Sequence, residues 1–327
     1  MVDTVKTVKS SGGDYSSLSA WEAGRQKTIS SGDREVADCY TFSDTTALDI
    51  SGWTTASDAS ILIRAATGEG HDGTFGTGYR LVSSGGSGYG VLGILEGYVT
   101  FERISITSTD GVASVVALTG AAGVVTLSGC LVRGARNTSF GAFAIGEGVV
   151  NLINTVVVND GNISATYIYQ DGSNAPTAYI YNCASIAQAG LAYNRAAGTV
   201  TIKNSYGRST ATVYNGTITC TTCAHSTSET KTGSTASVAY STANFTNVTS
   251  GSEDLRLVSG SALIDAGTDL SADANYAFST DFDGTTRSGT WDIGYDEYVS
   301  AATGHPTMRR WGGVPGMGQG QTFGRSW

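Results

Sequence analysis

A six-residue pattern recurs six times in the middle of the chain and constrains its fold more than any other feature. The first and third residues of each copy are apolar or small, and the second and fourth are mostly polar or aromatic, as in a strand with one buried face. The fifth residue is Asn, Gly or another non-aliphatic residue and the sixth is small or apolar, which predicts a bend within each copy. The copies are Val99–Ile104, Val125–Cys130, Val150–Thr155, Ala178–Cys183, Val200–Ser205 and Ile218–Cys223.

The spacing of these copies predicts how their strands are connected. They begin at intervals of 26, 25, 28, 22 and 18 residues, with no helical stretch between them. These intervals are too short for a strand–helix–strand unit but fit one turn of a solenoid of parallel strands. The 44 glycines and the charged fraction of only 14% suit small buried side chains and tight turns. We therefore predict an all-β, single-stranded parallel β-helix, with these side chains pointing inward: Val99, Phe101, Val125, Leu127, Val150, Leu152, Val200 and Ile202.

The ends of such a solenoid need covers, because an open end exposes apolar side chains and unpaired strand edges. Near the start, a helix is predicted to begin at Ser16 or Ser17 and to lay Leu18 and Trp21 over the first coil. The predicted organisation has three parts. They are a strand and helix cap with the first coil at 1–60, the β-helix at 61–298, and an extended arm rich in Gly, Arg and Trp at 299–327.

Charge and hydropathy exclude two classes of partner. Residues 1–300 contain 16 basic and 28 acidic residues, a net charge of −12, which repels the phosphates of nucleic acids. No run of 18 apolar residues is present, so no membrane span or membrane partner is expected. The first residues also lack the apolar stretch of a secretory signal, so we expect the protein to remain in the compartment where it is made.

Four of the five cysteines, Cys130, Cys183, Cys220 and Cys223, are predicted to be core residues. Cys130, Cys183 and Cys223 share the sixth position of the repeat and should stack inside as small apolar groups. Cys220 and Cys223, followed by His225, resemble half of a metal site, but a second pair at suitable spacing is absent from the sequence. The odd number of cysteines argues against a disulfide framework.

Three segments resemble a known family. The residues Leu255–Thr268 (LRLVSGSALIDAGT) and Asp281–Tyr298 (DFDGTTRSGTWDIGYDEY) resemble the closing coils of right-handed parallel β-helix, pectate-lyase-like proteins of bacteria and phages. The opening Gly12–Glu22 resembles the first cap of phage and environmental members. The resemblance implies a right-handed β-helix over 61–298 and indicates little about function, because this fold carries lyases, hydrolases, adhesins and virion proteins.

A catalytic site on this fold would need clustered carboxylates. Glycosidases use two carboxyl groups about 5–10 Å apart, and pectate lyases use carboxylates around Ca²⁺ with a nearby Arg or Lys. The fourth position of the repeat faces outward, and acids there would stack from coil to coil. Only one of its six occupants is acidic, so no acidic pair stacks; the occupants are Glu102, Ser128, Ile153, Tyr181, Lys203 and Thr221. We therefore predict no catalytic residue and no cofactor. If this prediction is wrong, the acids to test are Glu96, Glu102, Asp110 and Glu147.

The residues Asp281 and Asp283 resemble the start of a Ca²⁺ loop but lack the later oxygen ligands of such loops. The family resemblance implies that they are structural elements of a closing turn, with Arg287 paired to Asp281, Asp283 or Asp292. A bound cation at Asp281 and Asp283 is the alternative.

The arm departs from the repeat pattern and carries a different charge. Its last 27 residues contain three Arg and no acid. Arg and large aromatic residues anchor interfaces, so we predict docking on a neighbouring subunit or a larger assembly. Folding back along the acidic body is the alternative. The predicted anchors are Arg309, Arg310, Trp311, Phe323, Arg325 and Trp327.

These observations favour a non-enzymatic phage virion protein: a decoration, cement or fibre subunit on a capsid or tail. We expect it to form a homotrimer, to contact other virion proteins such as the major capsid protein, and to be made in the host cytoplasm. The alternative is a receptor-binding tailspike that binds or depolymerises a host surface polysaccharide. A cellular adhesin is the third possibility, and the missing export signal argues against it.

Overall fold

The computed structural model describes residues 1–85, 90–110, 114, 116–118, 123–135, 140–171 and 174–300. The chain is nearly all β, with 39% strand and 3% helix. Its one described helix is α1, Leu18–Arg25. The first strands in chain order are β1 Val2–Val8, β2 Asp33–Cys39, β3 Ser43–Asp44, β4 Leu48–Ile50, β5 Ser60–Ala65, β6 Arg80–Ser83, β7 Leu92–Ile94, β8 Val99–Glu102, β9 Ser105–Ser108 and β10 Val116–Leu118.

The repeat region and the end of the chain supply the other strands. They are β11 Val124–Ser128, β12 Leu131–Gly134, β13 Phe143–Ile145, β14 Val149–Ile153, β15 Val156–Asn159, β16 Thr166–Ile168, β17 Thr177–Tyr181, β18 Ala184–Ala187, β19 Tyr193–Arg195, β20 Thr199–Lys203, β21 Tyr206–Arg208, β22 Tyr214–Asn215, β23 Thr219–Thr221, β24 Cys223–His225, β25 Ser234–Ser237, β26 Phe245–Asn247 and β27 Asp254–Leu257.

Three long parallel sheets contain almost all of these strands. The first sheet has the order β1-β2-β5-β8-β11-β14-β17-β20-β23, and the second has β25-β24-β21-β18-β15-β12-β9-β6-β3. The third sheet has the order β22-β19-β16-β13-β10-β7-β4. From β2 to β24 the chain visits the first, second and third sheets in a fixed rotation, which is the strand order of a parallel β-solenoid.

The predicted bend lies at the fifth position of every copy of the repeat. Backbone φ there is positive: Arg103 56°, Gly129 61°, Asn154 48°, Asn182 50°, Asn204 47° and Thr222 50°. Each bend carries the chain from a first-sheet strand into a second-sheet strand. Asn tolerates the left-handed conformation better than most residues, which explains its recurrence at this position.

The first and third positions of the repeat build the interior, as predicted. All eight side chains expected to point inward belong to one buried cluster, and none is more than 2% exposed. Register stacks them in rows, since Phe101 pairs with Leu127 and Leu127 pairs with Leu152. The prediction for Cys130, Cys183, Cys220 and Cys223 is also confirmed, because all four are buried. Cys39 is buried as well, and all five cysteines are free thiols.

The N-terminal cap is formed by the predicted helix. Ser17 is its N-cap, and the Ser17 Oγ atom accepts a hydrogen bond from Ala20 N over 3.0 Å. Leu18 and Trp21 are fully buried in the cluster that fills the solenoid. The Trp21 ring also stacks on Trp53, with centroids 5.5 Å apart. The helix therefore closes the open end of the first coil.

The structure differs from the sequence prediction at the C-terminal end. The last strand of the three long sheets ends at Ser237, while β26 and β27 form a separate antiparallel pair. Residues 238–298, here called the return segment, do not add coils. They pack against the outside of the second sheet and, through Leu270 and Trp291, against Ile153 and Tyr181 of the first sheet. The side chains buried in this contact include Leu131, Val156, Val158, Ile186 and Tyr206 on the sheet, and Phe245, Leu257, Leu263, Phe282, Ile293 and Tyr295 on the segment.

The second-sheet strands explain why the return segment packs on the outside of the solenoid: they carry apolar side chains on both faces. In β15, Val157 lies in the solenoid core, whereas Val156 and Val158 pack against the return segment. A strand buried on both faces reads as a continuous apolar run rather than an alternation. The outer face of the second sheet would expose that apolar surface to water without a cover.

Candidate functional site

The four acids proposed as fallback catalytic residues do not form one cluster. Glu102 lies on β8 of the first sheet, in register with Arg64 on β5. Asp110 follows β9 of the second sheet, where its carboxylate meets Ser108 Oγ at 3.4 Å. Glu96 and Glu147 each lie two residues beyond a third-sheet strand, β7 and β13 respectively.

Glu96 and Glu147 lie at the same corner of the solenoid, but the carboxylate of Glu96 already accepts a hydrogen bond. Strand β10 lies between β7 and β13, so Glu96 and Glu147 are two strand steps apart, or about 10 Å along the solenoid. The Oε1 atom of Glu96 accepts a hydrogen bond from Trp53 N over 3.1 Å. This bond ties Glu96 to the loop after β4 and gives it a structural role.

Asp281 and Asp283, the pair considered above as a possible cation site, lie in the return segment. Both of their carboxylates accept backbone hydrogen bonds. Asp281 Oδ1 accepts from Asp283 N at 3.1 Å and from Thr285 N at 2.9 Å, and its Oδ2 accepts from Glu297 N at 3.1 Å. Burial, reinforced by Asp283, raises the pKa of Asp281 to about 8. Burial would also raise the pKa of Asp283, but hydrogen bonds with Asp281 and Thr285 outweigh it and lower that pKa.

The prediction that Arg287 pairs with Asp281, Asp283 or Asp292 was wrong, because its ion pair is with Glu297. Its Nη1 atom binds Glu297 Oε2 over 2.9 Å, and its Nη2 atom donates to Asn154 Oδ1 over 3.0 Å. Asp292 instead accepts backbone hydrogen bonds from Asp265 N and Tyr298 N at 2.7 and 2.6 Å. Arg287 therefore joins the return segment to a bend of the solenoid rather than closing the Asp281 turn.

A polar cleft of about 650 Å³ lies beside the N-terminal cap. Helix α1 contributes Glu22 to its wall, and β4 contributes Asp49. Leu48 and Ile50 point into the core, so the alternation of the strand places Asp49 on its outer side. The hydroxyl-bearing residues of the wall are Ser19, Thr45, Thr46, Ser51, Ser83 and Ser84.

The two carboxyl groups of this cleft are in different environments. Glu22 is 9% exposed, and its Oε1 atom accepts from Trp53 Nε1 at 3.2 Å and from Ser51 N at 3.3 Å. Burial raises the pKa of Glu22 despite these hydrogen bonds, and the nearby charge of Asp49 adds to the effect. The Oδ1 atom of Asp49 is buried and has no hydrogen-bond partner among the described residues.

Glu22 and Asp49 together could act as a general acid and a second carboxylate. A carboxyl with a raised pKa can hold a proton beside a second carboxylate, which is the division of roles in glycoside hydrolysis. The hydroxyls of the wall suit a polyhydroxylated ligand. Sequence reasoning missed this site because it searched for acids along the repeat, whereas Glu22 and Asp49 belong to the cap and the first coil. The one sequence signal is Glu22 directly after Trp21, on a helix whose other face is buried.

The arm residues predicted to bind a partner lie outside the described residues, so Arg309, Arg310, Trp311, Phe323, Arg325 and Trp327 remain a prediction. Within the described ranges, no helix has the length and apolarity needed to cross a membrane. The same ranges contain no group of three or more His, Cys, Asp or Glu side chains arranged to hold a metal ion. No protein-family model matches the chain, and no curated protein or solved structure gives a match.

Proposed function

We propose that this chain is a non-enzymatic structural protein of a bacteriophage virion, folded as a right-handed parallel β-helix. It acts as a decoration, cement or fibre subunit on the capsid or tail and assembles as a homotrimer. In this role it contacts other virion proteins, such as the major capsid protein, after synthesis in the host cytoplasm. Its β-helix is a rigid body, and its arm is the attachment element.

The observation that carries this proposal is the place where the arm leaves the body. Tyr298 N donates to Asp292 Oδ2 over 2.6 Å, and Asn182 Nδ2 donates to Asp292 O over 2.9 Å. Asn182 is a bend residue in the middle of the solenoid. Tyr298, the residue before the predicted arm, therefore lies against the side of the β-helix rather than at its end, which favours a partner lying alongside the β-helix.

The composition of the arm supports attachment as its role. Ordering a backbone costs about 1–2 kcal/mol per residue, so an arm of this length needs strong contacts to be held. Arg309, Arg310, Trp311 and Trp327 provide bidentate and aromatic groups of the kind that dominate interface energies. Their net positive charge also complements the acidic body of a neighbouring copy.

Deletion of residues 304–327 tests the proposal. The cap, solenoid and return segment are complete by Tyr298, so the truncated protein should keep the circular dichroism spectrum and the melting temperature of the full chain. Trimer formation, measured by light scattering, and incorporation into particles should fail. The triple change Arg309→Ala, Arg310→Ala and Trp311→Ala should reproduce the failure. A truncated protein that assembles and attaches normally would refute the attachment role.

The carboxyl pair Glu22 and Asp49 favours a second candidate function, a tailspike that binds or depolymerises a surface polysaccharide. This candidate predicts release of reducing ends from capsular or lipopolysaccharide glycans. Glu22→Gln should abolish the release, while Asp269→Asn, at an exposed residue of the return segment outside the cleft, should leave it unchanged. Release of reducing ends that depends on Glu22 would overturn the non-enzymatic proposal. Absence of release by the intact chain would remove the hydrolase version of this candidate.

A further inference from the structure

The last copy of the six-residue repeat carries two cysteines whose side chains point into the solenoid. Cys220 is its third residue and Cys223 is its sixth, and both belong to the buried cluster that fills the solenoid. Between them, Thr222 has a φ of 50°, the left-handed bend that turns every copy from the first sheet into the second. Because the two inward positions flank one bend, their side chains converge on the same corner of the core.

The thiol groups of these two cysteines interact directly. A side-chain hydrogen bond joins Cys220 and Cys223. The Cys223 Sγ atom also lies 3.3 Å from Ile202 O and 3.5 Å from Thr221 O, the two nearest carbonyl groups of the corner. Cys223 is therefore held on the inner side of the bend, against Cys220.

No other two of the five cysteines are placed in this way. Cys130 and Cys183 occupy the sixth positions of their copies, and the strands that follow them are two strand steps apart, or about 10 Å. Cys183 and Cys223 are also two steps apart. A disulfide requires Cβ atoms about 4 Å apart, so these pairs cannot be bridged. The third position of every other copy holds an apolar residue without sulfur: Phe101, Leu127, Leu152, Ile180 and Ile202.

The two thiols differ in access and in acidity. Cys220 is 7% exposed, whereas the other four cysteines are at most 2% exposed. The hydrogen bond with Cys223 outweighs burial and lowers the pKa of Cys220, and the charge of Lys231 adds to this effect. Burial raises the pKa of Cys223, so Cys223 keeps its proton. An accessible thiolate beside a buried thiol is the arrangement of an attacking cysteine and a resolving cysteine.

We propose that Cys220 and Cys223 form an intramolecular disulfide when the folded protein meets a low-molecular-weight disulfide such as glutathione disulfide. The Cys220 thiolate attacks one sulfur of glutathione disulfide and releases the first glutathione thiolate. That thiolate takes the proton of Cys223, whose sulfur attacks Cys220 Sγ and releases the second glutathione thiolate. The second thiolate takes up the proton that Cys220 had lost. Two electrons pass from the cysteines to glutathione disulfide, which leaves as two molecules of glutathione.

The new bond would lock the last coil of the solenoid. A terminal coil has a neighbour on one side only, so it opens more readily than an inner coil. Strand β23 is the last strand of the first sheet, and the bond from Cys223 N to Gly233 O is long, at 3.4 Å. A disulfide across Thr222 ties β23 to β24 covalently at this end. This modification goes beyond the structural role proposed above and does not depend on it.

A thiol count on the full-length native protein tests the proposal. The reduced protein is freed of reductant, incubated with glutathione disulfide, alkylated with iodoacetamide in urea and digested with trypsin. Trypsin cuts after Arg208 and Lys231, so peptide 209–231 contains both cysteines, while the other three cysteines lie in separate peptides. The number of thiols that react should fall from five to three. Peptide 209–231 should carry no alkyl group and should be lighter by two hydrogen atoms than its reduced form.

Three variants separate the two steps. Cys223→Ser should retain glutathione on Cys220, because the resolving thiol is missing. The fully buried Ser205 at the sixth position of the preceding copy shows that the repeat accommodates serine there. Cys220→Ser should leave the fully buried Cys223 unmodified. The matched control is Cys183→Ser, at the sixth position of another copy, and it should form the disulfide as the parent does.

Five reactive thiols in the treated parent protein would overturn the proposal. A glutathione adduct that persists on Cys220 of the parent, or a disulfide that links two chains, would overturn it as well. These readouts require no variant, so an unstable variant leaves the test intact. Hydrogen exchange checks the lock: oxidation should slow exchange at residues 219–225 and leave residues 150–155 unchanged. Equal exchange of residues 219–225 before and after oxidation would refute the lock.

Discussion

Arg287 of the return segment donates a hydrogen bond from its Nη2 atom to Asn154 Oδ1 over 3.0 Å, joining residues that are 133 positions apart. Asn154 occupies the bend of a repeat, and its Nδ2 group donates to Thr280 O over 2.8 Å. The next bends continue this arrangement, since Asn182 Nδ2 binds Gly294 O and Asn204 Nδ2 binds Thr268 O. The bend asparagines thus have two roles: they turn the chain and they hold the segment that covers the solenoid.

Removing the guanidinium of Arg287 should destabilise the protein strongly. Arg287→Ala leaves Glu297 and Asn154 without this partner in a region where the Arg287 side chain is fully buried. Breaking a buried ion pair costs about 3–5 kcal/mol, so the free energy of unfolding in urea should fall by about that amount. Arg34→Ala, which removes the half-exposed pair with Asp3, should cost less than about 1 kcal/mol. Equal effects of the two changes would contradict a locking role for Arg287.

Charging the interior should unfold the solenoid. Leu127→Asp places a carboxylate in the stacked core between Phe101 and Leu152, two buried apolar side chains that cannot pair with its charge. The cost should reach several kcal/mol because burial of an unpaired charge is strongly unfavourable. Thr201→Asp, at an outward position of the same sheet, should change the urea midpoint little. Tolerance of Leu127→Asp would show that this row does not form the core.

Stability should fall as the pH rises from 6.5 to about 8 because of buried carboxyl groups in the return segment. Burial raises the pKa of Asp281 to about 8 and the pKa of Asp296 to about 7, from ordinary values of 3.8. The native state keeps these protons where the unfolded chain releases them, so each group lowers stability as the pH climbs toward its native pKa. His71 acts in the opposite sense, because burial lowers its pKa to about 4. Its contribution is lost as the pH falls below 6.5.

Of Asp281, Asp296 and His71, the two carboxyl groups therefore set the pH dependence of stability above pH 6.5. We expect the free energy of unfolding in urea to be lower at pH 8 than at pH 6.5. Asp281→Asn cannot lose a proton and should reduce this difference. Asp269→Asn is the control, since hydrogen bonds to Ser271 lower the pKa of Asp269, and its contribution is complete well below this range. A pH dependence that is unchanged in Asp281→Asn would show that another group controls it.

The cysteines should differ in reactivity. Burial raises the pKa values of Cys130 and Cys183 to about 12, so they should resist iodoacetamide until the chain unfolds. Cys220 is 7% exposed, and a hydrogen bond with Cys223 lowers its pKa. Mass spectrometry after brief alkylation at pH 8 should find the label first on Cys220. Early labelling of Cys130 would contradict its place inside the solenoid.

The repeat alone determined the scaffold. Period-two alternation, a special fifth residue and a turn-length interval are local features, and local features predict strands, bends and inward rows. The helix cap could be predicted for the same reason, because Ser17, Leu18 and Trp21 are close in sequence. These features are confirmed by the positive φ angles at every bend and by the buried cluster that contains all eight side chains predicted to point inward.

Only the tertiary structure decided what lies on the outside of the scaffold. The resemblance of residues 255–298 to closing coils could not show that the segment packs on the outer face of the second sheet, since that contact joins residues more than 100 positions apart. The hydrogen bond from Arg287 to Asn154 depends on the same packing. Glu22 and Asp49 become neighbours only when the coils stack. A strand pattern specifies which face is outward, but the coil-to-coil register decides which outward residues meet.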